Sequence, residues 1–199
     1  MTRVAIIDSG GANIASVQFA LQRLGATGTL TVDPDVIRAA DRVLLPGVGA
    51  ARNAMQRLRD ARLVDLIRRL EQPVLGICLG MQLLFDGSEE EDVECLGLIP
   101  GTATKLEVAE DFPVPNMGWC ATHLVEPHGL LAGIEDGAHF YYVHSYALPV
   151  SGSTLGTADH SAEFSAIAAK GNFLAAQFHP ERSSANGARF LRNFLEIPA

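Results

Sequence analysis

Short β-rich runs alternate with helical patterns up to about residue 85, and that alternation restricts the chain to a mostly parallel sheet covered on both faces. Residues 4–8 read as a strand, and Ile14, Val17, Leu21 and Leu24 share one helical face across residues 13–24. Residues 29–32 and 42–45 read as further strands, the second ended by Pro46-Gly47. Residues 51–70 are helical with a break, and the apolar run 73–77 passes straight into the helical stretch 80–85. Strands joined this way connect through right-handed crossovers. Beyond the acidic Glu89-Glu-Glu-Asp92 the texture changes. Residues 102–108, 118–125, 140–148, 154–158, 164–169 and 173–178 read as strands with few helices between them. Ala169-Lys-Gly-Asn-Phe173 carries a hairpin signal, and residues 187–195 close with a helix. The expectation is one α/β domain over residues 1–199: a mostly parallel central sheet with flanking helices, extended by antiparallel strands in the C-terminal half.

Composition excludes several classes of function. With 199 residues, 48% of them hydrophobic, the chain has apolar material for a core and is not a disordered segment. The net charge is −8, and Arg57, Arg59, Arg68 and Arg69 alternate with Asp60, Asp65 and Glu71. That is a solvated helix face, not the basic stripe that nucleic acid or an anionic membrane needs. The apolar run 74–81 stops at Gln82, far short of the roughly 18 residues of a membrane span. The N-terminal residues lack the long apolar region of a signal peptide. Cys78, Cys95 and Cys120 are odd in number with no close pair, so neither a disulfide framework nor a thiolate zinc site is expected. A cytosolic chain with free thiols and no metal or cofactor is the expectation. His123, His128, His139 and His160 show no metal-ligand spacing, and the acidic run 89–92 reads as solvated loop.

The sharpest chemical feature is Gly76-Ile-Cys78-Leu-Gly80, preceded by a strand and followed by a helix. This is the context of a nucleophile elbow, where a strained strand-to-helix turn holds the central residue and a side chain at either flank would clash. The positive end of the helix favours an anionic sulfur. Taken alone, Cys78 is equally well read as a small core residue. A second feature separates the readings. Gln177-Phe-His179-Pro-Glu181 ends an apolar strand, and side chains at i and i+2 of extended chain point the same way. Histidine and glutamate at this spacing can present a base together with its orienter. An α/β-hydrolase has its acid well upstream of the histidine, so a serine-type esterase is disfavoured. The third feature, Leu45-Pro-Gly47-Val-Gly49-Ala50, follows a strand and frees backbone N–H groups for an oxyanion hole or makes a tight turn. Arg52 stands where a dinucleotide fingerprint needs its third glycine, and no phosphate-binding P-loop occurs. Tyr141-Tyr-Val-His144-Ser-Tyr146 is either a buried hydrogen-bonded cluster or a ligand-facing wall.

These residues resemble the class I (triad) glutamine amidotransferases, whose fold is flavodoxin-like. Within them, Pro46-Gly-Val-Gly-Ala50, Cys78-Leu-Gly-Met-Gln-Leu-Leu-Phe85, Tyr141-Tyr-Val-His-Ser-Tyr146 and Gln177-Phe-His-Pro-Glu-Arg-Ser183 look like the glutaminase subunits of imidazole glycerol phosphate synthase. Asp8-Ser-Gly-Gly-Ala-Asn13 and Val114-Pro-Asn-Met-Gly-Trp119 extend the likeness over nearly the whole chain. The resemblance implies glutamine hydrolysis through a thioester, with ammonia passed to a (β/α)₈ cyclase subunit in a heterodimer of histidine biosynthesis. It implies Cys78 as nucleophile, His179 as acid and base, and Glu181 as orienter. Gly49 and Leu79 fall at the oxyanion hole; Gly47, Gln82, Ser145 and Tyr146 fall at the glutamine site. Asn13, Trp119, Tyr141 and Arg182 fall on the surface facing the cyclase. Ser9, Ala12, Ala51, Asn116, Cys120 and Arg182 depart from the residues usual in that family, all outside the triad. Alternatives are the related glutaminase of vitamin B6 synthesis, a stand-alone cysteine hydrolase or deglycase, and a silent regulatory subunit that binds glutamine.

Overall fold

The computed structural model of the chain describes residues 1–10 and 14–198. Strands β1 (Arg3–Ile7), β2 (Thr27–Thr31), β3 (Arg42–Gly47) and β4 (Val74–Cys78) alternate with helices α1 (Ile14–Arg23), α2 (Pro34–Arg38), α3 (Ala51–Asp60) and α4 (Val64–Arg68). Helix α5 (Leu79–Leu84) leaves β4 with no intervening residue. Four short strands follow or interleave: β5 (Gly87–Ser88), β6 (Val93–Glu94), β7 (Thr102–Lys105) and β10 (Tyr146–Ala147). The remaining strands are β8 (Asn116–Leu124), β9 (Ala138–His144), β11 (Thr154–His160), β12 (Ala162–Lys170) and β13 (Phe173–Ala176), and α6 (Ser184–Glu196) ends the chain.

Nine strands form one sheet in the order β2-β1-β3-β4-β13-β12-β11-β8-β9. The first five are parallel and the last four antiparallel. The expected α/β architecture is therefore the observed one, with half of the sheet parallel and the C-terminal half built from hairpins. The parallel strands at the centre are apolar at successive positions because both faces are covered. Val4 and Ile6 pack on one side with α1 and α6 residues such as Leu21 and Phe190. Ala5 and Ile7 pack on the other with Met55 and Leu58 of α3 and Ile67 of α4. A second sheet, β10-β7-β5-β6, sits on that side as well, contributing Val93 and Ala103 to the same core.

The structure refines several sequence readings. Pro46-Gly47 does not end β3, which runs through it and pairs Gly47 with Cys78. The break in residues 51–70 lies at Ala61 to Leu63, where Arg62 takes φ +57°. Residues 140–148 divide into β9 and β10 at Ser145. Helix α2 is absent from the sequence reading because five residues show no periodicity; Asp33 caps it through Asp35 N–H at 2.8 Å, with proline next in the chain.

Candidate active site

The carboxyl ends of β3, β4 and β13 meet along one rim, the position where open α/β sheets bind ligands. The elbow stands there. Cys78 has φ +55° and ψ −113°, a conformation outside the regions L-residues ordinarily occupy, stabilised only by what surrounds it. Its flanking glycines are required sterically. A Cβ on Gly80 would sit 1.7 Å from the Leu45 carbonyl oxygen, and one on Gly76 would sit 2.5 Å from the Gly80 carbonyl oxygen. The turn therefore needs both, because β3, β4 and α5 approach backbone to backbone.

His179 follows β13, which pairs in parallel with β4 and so carries its end beside Cys78. A 3-10 turn, Pro180–Arg182, then folds Glu181 back onto the ring. Glu181 Oε1 lies 2.9 Å from His179 Nδ1. Both side chains are largely buried, at 12% exposure for His179 and 5% for Glu181. Glu181 Oε2 is buried without a hydrogen-bond partner among the described residues, so the carboxylate has His179 as its counter-charge. Burial by itself would lower the His179 pKa; hydrogen bonds to the Cys78 sulfur and to Glu181, with the charges of both, override it and raise it to about 10. Both neighbours thus favour the protonated imidazole.

A cavity of about 300 Å³ opens over Cys78. Val48, Gly49, Leu79, Gln82, Ser145 and Tyr146 line it. Gly49 has φ +87°, a conformation suited to glycine. Gly47 is buried beneath, where an added Cβ would press on Leu79 at 3.1 Å. Gln82 Nε2 donates to the Tyr146 carbonyl at 2.9 Å and to Gln177 Oε1 at 3.1 Å. Both its N–H groups are spent on the protein, which leaves Oε1 for a ligand. Gln177 Nε2 in turn points at Cys78 Sγ from 3.9 Å.

The acidic run is not a solvated loop throughout. Glu90 lines the cavity, and its Oε2 accepts from Ala51 N–H at 3.1 Å. Its neighbours are spoken for elsewhere: Glu91 pairs with Arg52 at 3.2 Å and Glu89 Oε2 accepts from Lys105 N–H at 3.3 Å. Nothing in four consecutive acids marks which one turns inward; the β5–β6 hairpin decides it. His144 is both things the sequence left open, buried and lining the cavity.

Trp119, Tyr141 and Arg182 are brought together on the surface. Trp119 is 52% exposed, its ring lies edge-on to Tyr141 with centroids 5.9 Å apart, and the Arg182 guanidinium carbon is 5.2 Å from the Tyr141 ring centroid. The Tyr141 carbonyl accepts from His179 N–H at 2.9 Å, so this cluster is one hydrogen bond from His179. Asn13 and Ala12 lie outside the described residues. Of the other departures, Ser9 Oγ donates to the Pro46 carbonyl at 2.6 Å. Among the described residues there is no group of three or more metal-ligating side chains, and no helix long and apolar enough to cross a membrane.

The family model of class-I glutamine amidotransferases matches residues 5–197. The chain belongs to this family. The amidotransferase is 51% identical to the imidazole glycerol phosphate synthase subunit HisH of Xylella fastidiosa, over all of both chains. It is 50% identical to the subunit of the same name in Vibrio cholerae, over 98% of each. Among solved structures, PurLQS from Thermotoga maritima superposes with TM-score 0.77 at 17% identity, covering 98% of this amidotransferase and 99% of that chain. A solved glutamine amidotransferase gives 0.75 at 17% identity, over 97% of each chain. Those two likenesses are of fold.

Proposed function

We propose that this amidotransferase is the glutaminase subunit of an imidazole glycerol phosphate synthase, hydrolysing glutamine and handing the ammonia to a cyclase subunit. The observation that carries the chemistry is the line of Cys78, His179 and Glu181 at a cavity of about 300 Å³. Full-length identity near 50% to subunits of that name supports the choice of pathway.

Glutamine enters with its side-chain amide over Cys78. The Glu90 carboxylate meets the α-ammonium group, Gln82 Oε1 accepts an amide N–H, and Ser145 and Tyr146 close the outer wall. Sulfur attacks the amide carbon, and the oxyanion is held by the N–H groups of Gly49 and Leu79, each worth roughly 2.7–4 kcal/mol in such sites. Imidazolium at His179 gives its proton to the departing nitrogen, ammonia leaves, and a γ-glutamyl thioester remains. Water then attacks the thioester, and His179 takes its proton. Collapse expels sulfur as thiolate beside imidazolium, the starting pair, while glutamate leaves with its carboxyl proton passing to solvent. Glu181 holds the ring with Nδ1 toward itself and Nε2 toward sulfur and substrate, and stabilises the cation formed in each half-reaction.

Ammonia released into water is protonated and ceases to be a nucleophile, so the reaction is useful only against a sealed route to an acceptor. Trp119, Tyr141 and Arg182, next to the triad on the outside, are the surface we assign to the cyclase. Asn13 joins them by resemblance.

The test is glutamate release by the purified chain, first by itself and then together with a cyclase and the cyclase's ribotide substrate. Strong stimulation that disappears in Cys78→Ala, with loss of about three orders of magnitude or more, is expected. Equal rates with and without the cyclase would overturn the pairing with that enzyme, and parent-level activity in Cys78→Ala would overturn the mechanism.

A further inference from the structure

Strand β8 sends two polar side chains inward, where they begin a chain of hydrogen bonds that ends at Cys78. Asn116 and His144 face each other across β8 and β9, at 3% and 6% exposure. Cys120 Sγ lies 3.5 Å from Asn116 Oδ1 and donates to it, which turns the amide nitrogen toward His144. Asn116 Nδ2 is 3.1 Å from His144 Nε2. An amide nitrogen only donates, so Nε2 is the bare ring nitrogen and the proton sits on Nδ1. Nδ1 is 2.9 Å from the Tyr146 carbonyl oxygen and donates to it. Burial pushes the His144 pKa down to about 4, against the smaller raising effect of that carbonyl, so the ring is neutral. Gln82, which lines the cavity, donates to the same oxygen through Nε2. Two donors thus fill the lone pairs of one carbonyl, and Gln82 continues the chain through Gln177 to sulfur.

We propose that Asn116 and His144 are a positioning couple: Asn116 selects the His144 tautomer, and His144 with Gln82 clamps the Tyr146 carbonyl, holding the Ser145–Tyr146 wall in register for glutamine. This rests on the cavity being the glutamine site. Neither residue touches the reacting atoms. Both act through the Tyr146 carbonyl at the start of β10, just past the break at Ser145. Pairing with β7 holds the backbone there, with Tyr146 opposite Lys105 and the Ser145 carbonyl accepting from Leu106 N–H at 2.9 Å. The couple fixes the cavity side of the same segment. Because Asn116 and Cys120 share β8 with the outward Met117 and Trp119, exposed at 64% and 52%, the couple also joins that outer face to the cavity.

Asn116→Asp keeps the size of the side chain but offers His144 an acceptor in place of a donor. The first readout is ¹⁵N NMR of histidine-labelled protein, which distinguishes protonated from bare ring nitrogens without any turnover. Wild type is expected to show His144 protonated at Nδ1 and bare at Nε2, and Asn116→Asp to show Nε2 protonated. The second readout is glutaminase kinetics with the cyclase present. In Asn116→Asp and in the near-isosteric Asn116→Leu, KM for glutamine is expected to rise about tenfold while kcat stays within about threefold. Wild-type His144 carrying its proton on Nε2 overturns the couple, whatever the variants do. So does an unchanged KM in a folded variant, or a fall in kcat at constant KM. A wild type that forms no glutamate overturns the glutaminase reading instead, while the tautomer still decides whether the Asn116–His144 pair exists.

Discussion

The proton on His179 ties the candidate site to the stability of the fold. In an unfolded chain histidine titrates near 6.5; here its hydrogen bonds to Cys78 and Glu181 overcome burial and carry it to about 10. A group whose pKa rises on folding stabilises the native state fully below the lower value and loses that contribution as pH passes the higher one. The stabilisation from His179 is therefore complete below pH 6.5 and gone above about 10. A His179→Gln variant lacks this titration and takes the charge partner away from Cys78 and Glu181, so the comparison reads the coupled group as a whole. The gap in urea unfolding midpoint between wild type and variant should be widest at about pH 6 and shrink steadily toward about pH 10. Parallel curves would show that the imidazole is not held as its cation. At this scale the sequence was legible for the elbow position of Cys78 and for the pairing of His179 with Glu181, because strand-end and i, i+2 geometry are local. It was not for Glu90, one of four consecutive acids, nor for Gln177, whose amide reaches Cys78 only because β13 lies beside β4.

The element that pins the site is the β4–α5 elbow. Its glycines are close-approach residues: the Leu45 carbonyl stands where a Gly80 Cβ would be, at 1.7 Å, and neither β3 nor α5 is free to yield. Gly80→Ala should destabilise the protein by roughly 3 kcal/mol or more, since overpacking against backbone leaves no rotamer to escape into. Gly47→Ala meets the side chain of Leu79 at 3.1 Å, together with Gly80 N at 3.2 Å, and should cost measurably less. Chemical denaturation of both variants checks the order, and a Gly80→Ala protein as stable as Gly47→Ala would refute it. The flanking hairpins show the same logic of local cues. Gly171, at φ +59°, makes the turn between β12 and β13 that Gly-Asn announces in the sequence. Helix α2 announces itself only by Asp33 and Pro34, because one turn and a half is too short for an apolar stripe.

Across the whole molecule, function depends on a crossing of sequence distance. β13 inserts next to β4 and completes the parallel half of the sheet, and the hairpins β8–β9 and β11–β12 extend it toward the surface that carries Trp119. Trp119 belongs to neither buried core, being 52% exposed and edge-on to Tyr141. Trp119→Ala should leave the unfolding free energy within about 0.5 kcal/mol of wild type. It should weaken association with the cyclase by about 2 kcal/mol or more, as buried tryptophans at interface centres do. Titration calorimetry alongside thermal unfolding separates the two effects; a loss of stability with unchanged affinity would make Trp119 structural.

Neighbouring residues alone were enough for the α/β class, the elbow at Cys78 and the His179–Glu181 pair, because periodicity, turn chemistry and side-chain alternation are local properties. The family membership follows from the same motifs. Folding in three dimensions was needed to settle which acid enters the cavity, that Gln82 spends both N–H groups on the protein, and that Asn116 and His144 stand together against the Tyr146 carbonyl. Those assignments depend on which strands lie side by side, and burial makes each donor seek an acceptor supplied by residues far away in the chain.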